Sequence, residues 1–131
     1  MARLSVSYGG GKRFMAEVRG HRIECDQREK GGGQDSAPEP FDLFVASHAM
    51  CMMLFAQIFL ERNELSTEGL SLDVEYEMAD HPRRLGKVHG ILHVPNAELG
   101  KRAKGVVRSA LACPVHHSIR EDTEITLELA R

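Results

Sequence analysis

The sequence lacks an excess of charge of either sign. Its 131 residues carry a formal net charge of −2, whereas nucleic-acid binding needs a clustered basic surface. The basic residues between Lys101 and Arg108 alternate with apolar ones, which is typical of a solvated helix face. We therefore expect no nucleic-acid partner.

Cysteines are few and lack a disulfide framework. The chain has three of them, an odd number without regular spacing. Structural disulfides are therefore not expected, and the cytoplasm is the default compartment for such a sequence.

A long apolar run free of polar residues is also missing. The most apolar stretch, residues 41–60, contains Asp42, His48 and Gln57. We interpret it as the central helix of a soluble core rather than a membrane span, and the N-terminus has no apolar segment of the secretory-signal type. Because 42% of the residues are hydrophobic and 27% charged, we expect one soluble domain over residues 1–131, without a membrane partner.

The hydrophobic pattern predicts both strands and helices. Alternation of apolar and polar residues predicts strands at 3–8, 13–18, 21–25, 70–78, 88–94 and 123–129. A long helix is predicted from Pro40 to about Asn63, and a second one from Pro95 through Leu111, followed by a helical turn to Ile119. The glycine-rich segment 26–39 is predicted to be a long loop. This order favours an α+β fold with mainly antiparallel sheets.

Two cysteines lie in contrasting contexts. Cys51 is on an apolar helix face, where burial makes a thiol an inert core residue, unless His48, one turn earlier, polarises the sulfur. Cys113 precedes a helical turn, where N–H groups favour a thiolate and His116 and His117 are near enough to add positive charge. One cysteine of each kind indicates a thiol-based redox enzyme, with a buried filler and a capping thiol as the structural alternatives.

A zinc site is a further alternative for the second cysteine. Zinc is held by cysteine and histidine, so Cys113 with His116 or His117 would supply ligands. A single Cys-x-x-His without a second ligand pair is a poor metal motif. We therefore expect no metal and no cofactor.

Three segments together resemble the OsmC/Ohr family of thiol-dependent peroxide reductases. They are Gly-Gly-Gln-Asp-Ser-Ala-Pro at 32–38, Pro-Phe-Asp-Leu-Phe-Val-Ala-Ser-His-Ala-Met-Cys at 40–51, and Ala-Cys-Pro-Val-His-His-Ser-Ile at 112–119. The resemblance implies an OsmC-like fold and an intertwined homodimer, with two central helices between sheets from both chains and active sites at the interface. It also implies that Cys51 attacks an organic hydroperoxide, that Cys113 resolves the resulting sulfenic acid into a disulfide, and that a dithiol or lipoyl-type reductant restores both thiols.

The resemblance departs at the groups that activate the first cysteine. The organic-hydroperoxide-resistance branch has a glutamate directly after the helix-starting proline, where this chain has Phe41 and then Asp42. Asp42 resembles the arrangement in other branches, and Arg13, or else Arg28, is the expected arginine. His48 stands where a small or apolar residue is usual. The candidate catalytic residues are Cys51, Cys113, Arg13, Asp42 and His48.

Two functions remain open from the sequence. The first is a cytoplasmic peroxidase that reduces organic hydroperoxides. The alternative is a non-enzymatic dimer that binds a small hydrophobic ligand in an interfacial pocket lined by the thiols. Both use a dimer, because the long helix is apolar nearly all round and needs cover on every side.

Overall fold

The computed structural model describes residues 1–120, so the strand predicted at 123–129 lies outside the described residues. Contacts divide the chain into two compact units. The N-terminal unit comprises Met1–Ala46, and the second unit begins at Ser47. Within these units the structure is α+β, with two small antiparallel sheets and three α-helices in the described residues.

The N-terminal unit contains a three-stranded antiparallel meander, as predicted. Its strands are β1 (Ser5–Tyr8), β2 (Phe14–Val18) and β3 (His21–Cys25), and they pair in chain order. Gly10 and Gly11 both have positive φ, at 90° and 57°, in the turn between β1 and β2. Glycine adopts this left-handed backbone without the steric cost that other residues incur.

The loop after β3 is organised around a buried carboxylate. Asp26, 1% exposed, accepts hydrogen bonds from the backbone N–H groups of Gln27, Gln34 and Ser36 at 2.8, 3.2 and 3.1 Å. The Ser36 hydroxyl donates a fourth at 2.7 Å. Gly33 is required here, because a Cβ at this position would lie 2.1 Å from the Gln27 carbonyl oxygen. The glycine-rich segment is therefore a loop with a fixed path.

Helix α1 (Pro40–Arg62) begins where the sequence predicts. Pro40 suits the first helical position, since an N–H there would have no intrahelical acceptor. The Asp42 carboxylate accepts the N–H of Glu39 at 3.0 Å, which satisfies a donor just before the helix. An acidic side chain in the first turn also complements the positive end of the helix.

The other end of α1 is closed by polar groups. The Asn63 side-chain nitrogen donates to the Phe59 carbonyl oxygen at 2.8 Å, and Glu64 leaves the helix with a left-handed φ of 55°.

By length and composition alone α1 could cross a membrane, and only 28% of its apolar window is buried. The polar interruptions noted in the sequence therefore do not by themselves exclude a span.

The second unit contains a β-hairpin and two short helices. Strands β4 (Ser71–Ala79) and β5 (Arg84–His93) pair antiparallel, with a register shift between Glu77 and Met78. β5 thus begins at Arg84, earlier than the predicted 88, because pairing with β4 continues beyond the alternating residues.

Helices α2 (Ala103–Ala110) and α3 (Pro114–Arg120) complete the second unit. The prediction that the second helix starts at Pro95 is wrong. Gly100 has a left-handed φ of 54°, and a 3₁₀ turn, Gly100–Arg102, precedes α2. The unit's core joins α1 to this region through its most buried residues: Met52, Ala56, Leu60, Val106, Ala110 and Cys113.

Candidate active site

Cys113 lies immediately before α3 and has no exposed surface. The backbone N–H of His116 donates a hydrogen bond to its Sγ at 3.2 Å, so the sulfur caps the first turn. Burial nevertheless raises the pKa of the Cys113 thiol, and it outweighs the N–H groups of His116 and Val115, which lower it. The expectation that this position favours a thiolate is wrong, because desolvation opposes the charged form.

Cys51 approaches Cys113 from α1. It is partly buried and packs against the core cluster that contains Cys113. Cys51 is near enough to Cys113 to add to burial in raising the pKa of the Cys113 thiol. The fold therefore brings two free thiols from distant segments together. The third free cysteine, Cys25, belongs to the N-terminal unit.

A histidine pair joins the two segments that carry the thiols, with His48 one turn before Cys51 on α1 and His116 three residues after Cys113. His48 Nε2 is 3.1 Å from His116 Nδ1, and the rings stack with centroids 5.3 Å apart and 15° between their planes. His48 is 6% exposed. Burial lowers the pKa of His48, and positive charge on His116 lowers it further. His116 is half-buried, and its ring is bonded to His48, whereas His117 is exposed.

The histidine pair forms the polar part of an otherwise apolar cavity of about 480 Å³. All of its lining residues belong to the second unit. Met52 lies in the wall beside His48, one turn further along α1. The larger apolar side chains of the other walls are Leu72, Val88, Ile91, Leu92, Val107 and Leu111. Such a lining suits an apolar group with one polar end.

The remaining predicted site residues belong to the N-terminal unit. Arg13 directly precedes β2, and its Nη2 donates to the Gly9 carbonyl oxygen at 3.0 Å. Arg28 forms an exposed ion pair with Glu39 at 3.2 Å. Asp42 accepts the Glu39 N–H described above. The structure thus gives Arg13 and Asp42 local partners that fix a turn and a helix start.

Sequence reasoning missed two features of this chemistry. The His48–His116 bond joins residues 68 positions apart, and no local pattern marks such a pair. Asp26 is the second, although an aspartate ahead of a glycine- and serine-rich loop is a known signal for side-chain bonding to loop N–H groups. Hydrogen bonds from the Ser36 side chain and backbone, with those from Gln27 and Gln34, lower the Asp26 pKa to about 2 against the desolvation that raises it.

The described residues contain no group of three or more histidine, cysteine or acidic side chains placed to hold a metal ion. Cys113 and His116 are close through the backbone N–H of His116, and the His116 ring is bonded to His48. The arrangement therefore gives the zinc alternative no support in this part of the chain.

These features define a small α+β protein with a contacting pair of free thiols in one core. The family model described as OsmC-like protein matches residues 32–128. Because this match covers more than half of the 131 residues, the chain belongs to the OsmC-like family. The family fold is a soluble one, which supports the interpretation of α1 as a helix of a soluble protein.

Solved structures confirm the fold. An osmotic stress induced and detoxification response protein from Psychrobacter arcticus is 30% identical, with 90% of this chain and 88% of that chain covered and a TM-score of 0.82. An OsmC-like protein from Mycoplasma pneumoniae is 17% identical, with 92% and 87% covered and a TM-score of 0.73. An organic hydroperoxide resistance protein OsmC from Legionella pneumophila is 22% identical, with 92% and 89% covered and a TM-score of 0.66. No curated protein sequence matches the chain.

Proposed function

We propose that this protein is a cytoplasmic thiol peroxidase that reduces organic hydroperoxides. The observation that carries the proposal is the packing of the free Cys51 against the core cluster that contains the free Cys113. Membership of the OsmC-like family supports it, as does the fold shared with a protein described as conferring organic hydroperoxide resistance.

The surroundings of the two thiols support different roles for them. The buried Cys113 thiol has a raised pKa and stays protonated, whereas Cys51 is partly exposed. Cys51 is therefore the peroxidatic residue: its sulfur attacks the O–O bond, releases an alcohol and becomes a sulfenic acid. Cys113 then displaces the hydroxyl group to form the Cys51–Cys113 disulfide. A dithiol or lipoyl-type reductant restores both thiols by exchange.

The activating groups of the proposed reaction are Arg13, Asp42 and His48. A cation near a thiol favours the thiolate, and Arg13 is the preferred cation over Arg28, whose side chain is already paired with Glu39. Asp42 takes the part of the family glutamate by orienting that arginine. His48, one turn before the peroxidatic cysteine, is the polar group nearest to it along the helix face.

The proposal includes a homodimer with the sites at its interface. Along α1, Phe44 is 41% exposed, Met50 66% and Leu54 52%. Apolar side chains gain free energy when they are removed from water, and a second copy of the chain supplies that cover. The single-domain organisation over residues 1–131 is part of the same proposal.

The apolar cavity favours a second candidate function, a dimer that binds a small hydrophobic ligand without turnover. Its volume of about 480 Å³ lies within the range of small-molecule sites. The thiols would then be core residues next to the ligand. Turnover separates the two functions.

The test is consumption of cumene hydroperoxide in the presence of excess dihydrolipoamide. The wild-type protein is expected to turn over, and Cys51→Ser to lose all turnover because the attacking sulfur is gone. Cys25→Ser is the matched control, since it removes the free thiol of the N-terminal unit, and it should keep wild-type activity. Turnover that survives in Cys51→Ser, or is absent from the wild type with several reductants, contradicts the proposal.

A further inference from the structure

The His48–His116 pair connects the chain segments that carry the two thiols. His116 bonds to the Cys113 sulfur through its backbone N–H, and its ring bonds to His48, which precedes Cys51 by one turn of α1. We propose that this histidine pair carries the proton of the resolving step, accepting one from the Cys113 thiol and returning one to the hydroxyl group that leaves Cys51. The inference rests on the proposed function and adds His116 to its machinery.

The resolving step needs such a carrier at both of its sulfurs. The attacking species in disulfide formation is a thiolate, whereas burial raises the pKa of the Cys113 thiol and keeps it protonated. Hydroxide is a poor leaving group unless it is protonated as it departs. A group that takes the proton of the Cys113 thiol and supplies one to the departing hydroxyl group therefore lowers the barrier to attack and the barrier to departure. This is general acid–base catalysis.

The step balances with no further reactant. The Cys113 sulfur loses its proton to the pair and forms the S–S bond with its electron pair. The S–O bond of the Cys51 sulfenic acid breaks, and its electrons leave with the hydroxyl oxygen. A proton from the pair converts that oxygen to water, so the pair ends with as many protons as it began. Cys113 is oxidised and the Cys51 sulfur is reduced by the same amount.

The surroundings leave this task to the histidines. The lining residues that β4, β5 and α2 contribute to the cavity are all apolar, so they offer no proton carrier. In the described part of the chain, the titratable groups near the pair include Cys51, three residues after His48 on α1, Cys113, whose sulfur accepts the His116 N–H, and His117, whose ring centroid is 6.3 Å from that of His116. Burial lowers the pKa of His48 and so favours its neutral form, which is able to accept a proton.

The experiment separates formation of the sulfenic acid from its resolution. Wild-type protein, His116→Gln and the matched control His117→Gln are reduced, mixed with one equivalent of cumene hydroperoxide, and quenched at intervals into dimedone. Intact mass then distinguishes the dimedone adduct of the sulfenic acid from the disulfide. Circular dichroism checks that each variant is folded, and His48→Gln provides a second way to break the pair.

In His116→Gln, disulfide formation should slow by about 100-fold relative to sulfenic acid formation in the same sample, within the usual span of acid–base catalysis. Counted per molecule of hydroperoxide consumed, the dimedone adduct should exceed the disulfide in His116→Gln and in His48→Gln, but not in His117→Gln. Wild-type resolution rates in both variants of the pair overturn the inference and leave the proposed peroxidase intact. Absence of any sulfenic acid or disulfide in the wild type overturns the proposed function, and the inference with it.

The pH profile gives a readout that a purely structural role of His116 would not move. In the wild type, the rate of disulfide formation should fall as pH falls through the titration of the pair, because a protonated pair no longer accepts the Cys113 proton. In His116→Gln this limb should move to higher pH, because the Cys113 thiolate then forms without a neighbouring proton acceptor and its raised pKa governs the rate. An acid limb that is the same in both proteins overturns the inference.

Discussion

Asp26 in the N-terminal unit and Cys113 in the second unit are equally buried, at 1% and 0% exposure. The pKa of Asp26 is nevertheless lowered, whereas that of Cys113 is raised. Hydrogen bonds from Ser36, Gln27 and Gln34 lower the Asp26 pKa to about 2 in spite of desolvation. At Cys113 burial dominates and raises the pKa, although two backbone N–H groups act against it.

The difference lies in what each buried group receives from its neighbours. Four donors point at the Asp26 carboxylate, and one is a hydroxyl at 2.7 Å; charge-assisted bonds of this kind are the strong ones. Sulfur is a weak acceptor, and the neighbour of Cys113 is another thiol. Asp26 is therefore a fixed charge that organises a loop, whereas Cys113 is a neutral thiol held beside a partner.

The largest effect on this difference is expected from Gly33→Ala, which disturbs the loop that surrounds the Asp26 carboxylate. The new Cβ would lie 2.1 Å from the Gln27 carbonyl oxygen and 2.7 Å from Asp26 Oδ1, so the backbone of the loop must shift. Overpacking of this type costs about 1–3 kcal/mol, and urea denaturation measures it. Gly9→Ala is the control, because its Cβ would meet Arg13 atoms at 3.5 Å and beyond, an ordinary contact. Equal stability of the two variants would contradict the fixed loop.

Local signals in the sequence account for the parts of the fold that were predicted correctly. The start of α1 follows from Pro40 and Asp42, whose effects act within one turn, and the described strands follow from alternation. The start of the second helix was missed because the left-handed Gly100 breaks a pattern that spacing alone continues.

The site was less predictable, because its contacts are formed by folding. Pairing of Cys51 with Cys113 came from the family resemblance rather than from spacing. His48 was selected for its place one turn from Cys51, whereas its bond to His116 spans 68 residues of sequence. The apolar face around Cys51 likewise gave no sign that a second thiol packs against it.

A smaller effect is expected from Ser36→Ala, which removes the hydroxyl that contributes most to lowering the Asp26 pKa. The pKa of Asp26 should rise, as measured by NMR titration of the carboxyl carbon. Because the folded pKa of about 2 lies below the ordinary value of 3.8, the unfolded state binds more protons between these values. The stability that this group contributes is therefore present above about pH 4 and is lost as pH falls toward 2.

In Ser36→Ala that loss should begin at the same pH, which the unfolded pKa sets, but it should be smaller and complete at a higher pH than in the wild type. Ser5→Ala, a change at an exposed position of β1, serves as the control and should leave the Asp26 titration where it is. An unchanged titration in Ser36→Ala would show that the backbone donors alone fix the charge.

The central claim is that Cys51 and Cys113 form a redox pair, and disulfide mapping tests it most directly. Reduced protein is treated with one equivalent of cumene hydroperoxide, alkylated and digested, and the cross-linked peptides are identified by mass. The account predicts loss of the two thiol hydrogens and a cross-link between Cys51 and Cys113 within one chain, with Cys25 alkylated. A protein that keeps all three thiols alkylatable, or that pairs Cys25 instead, would contradict the account.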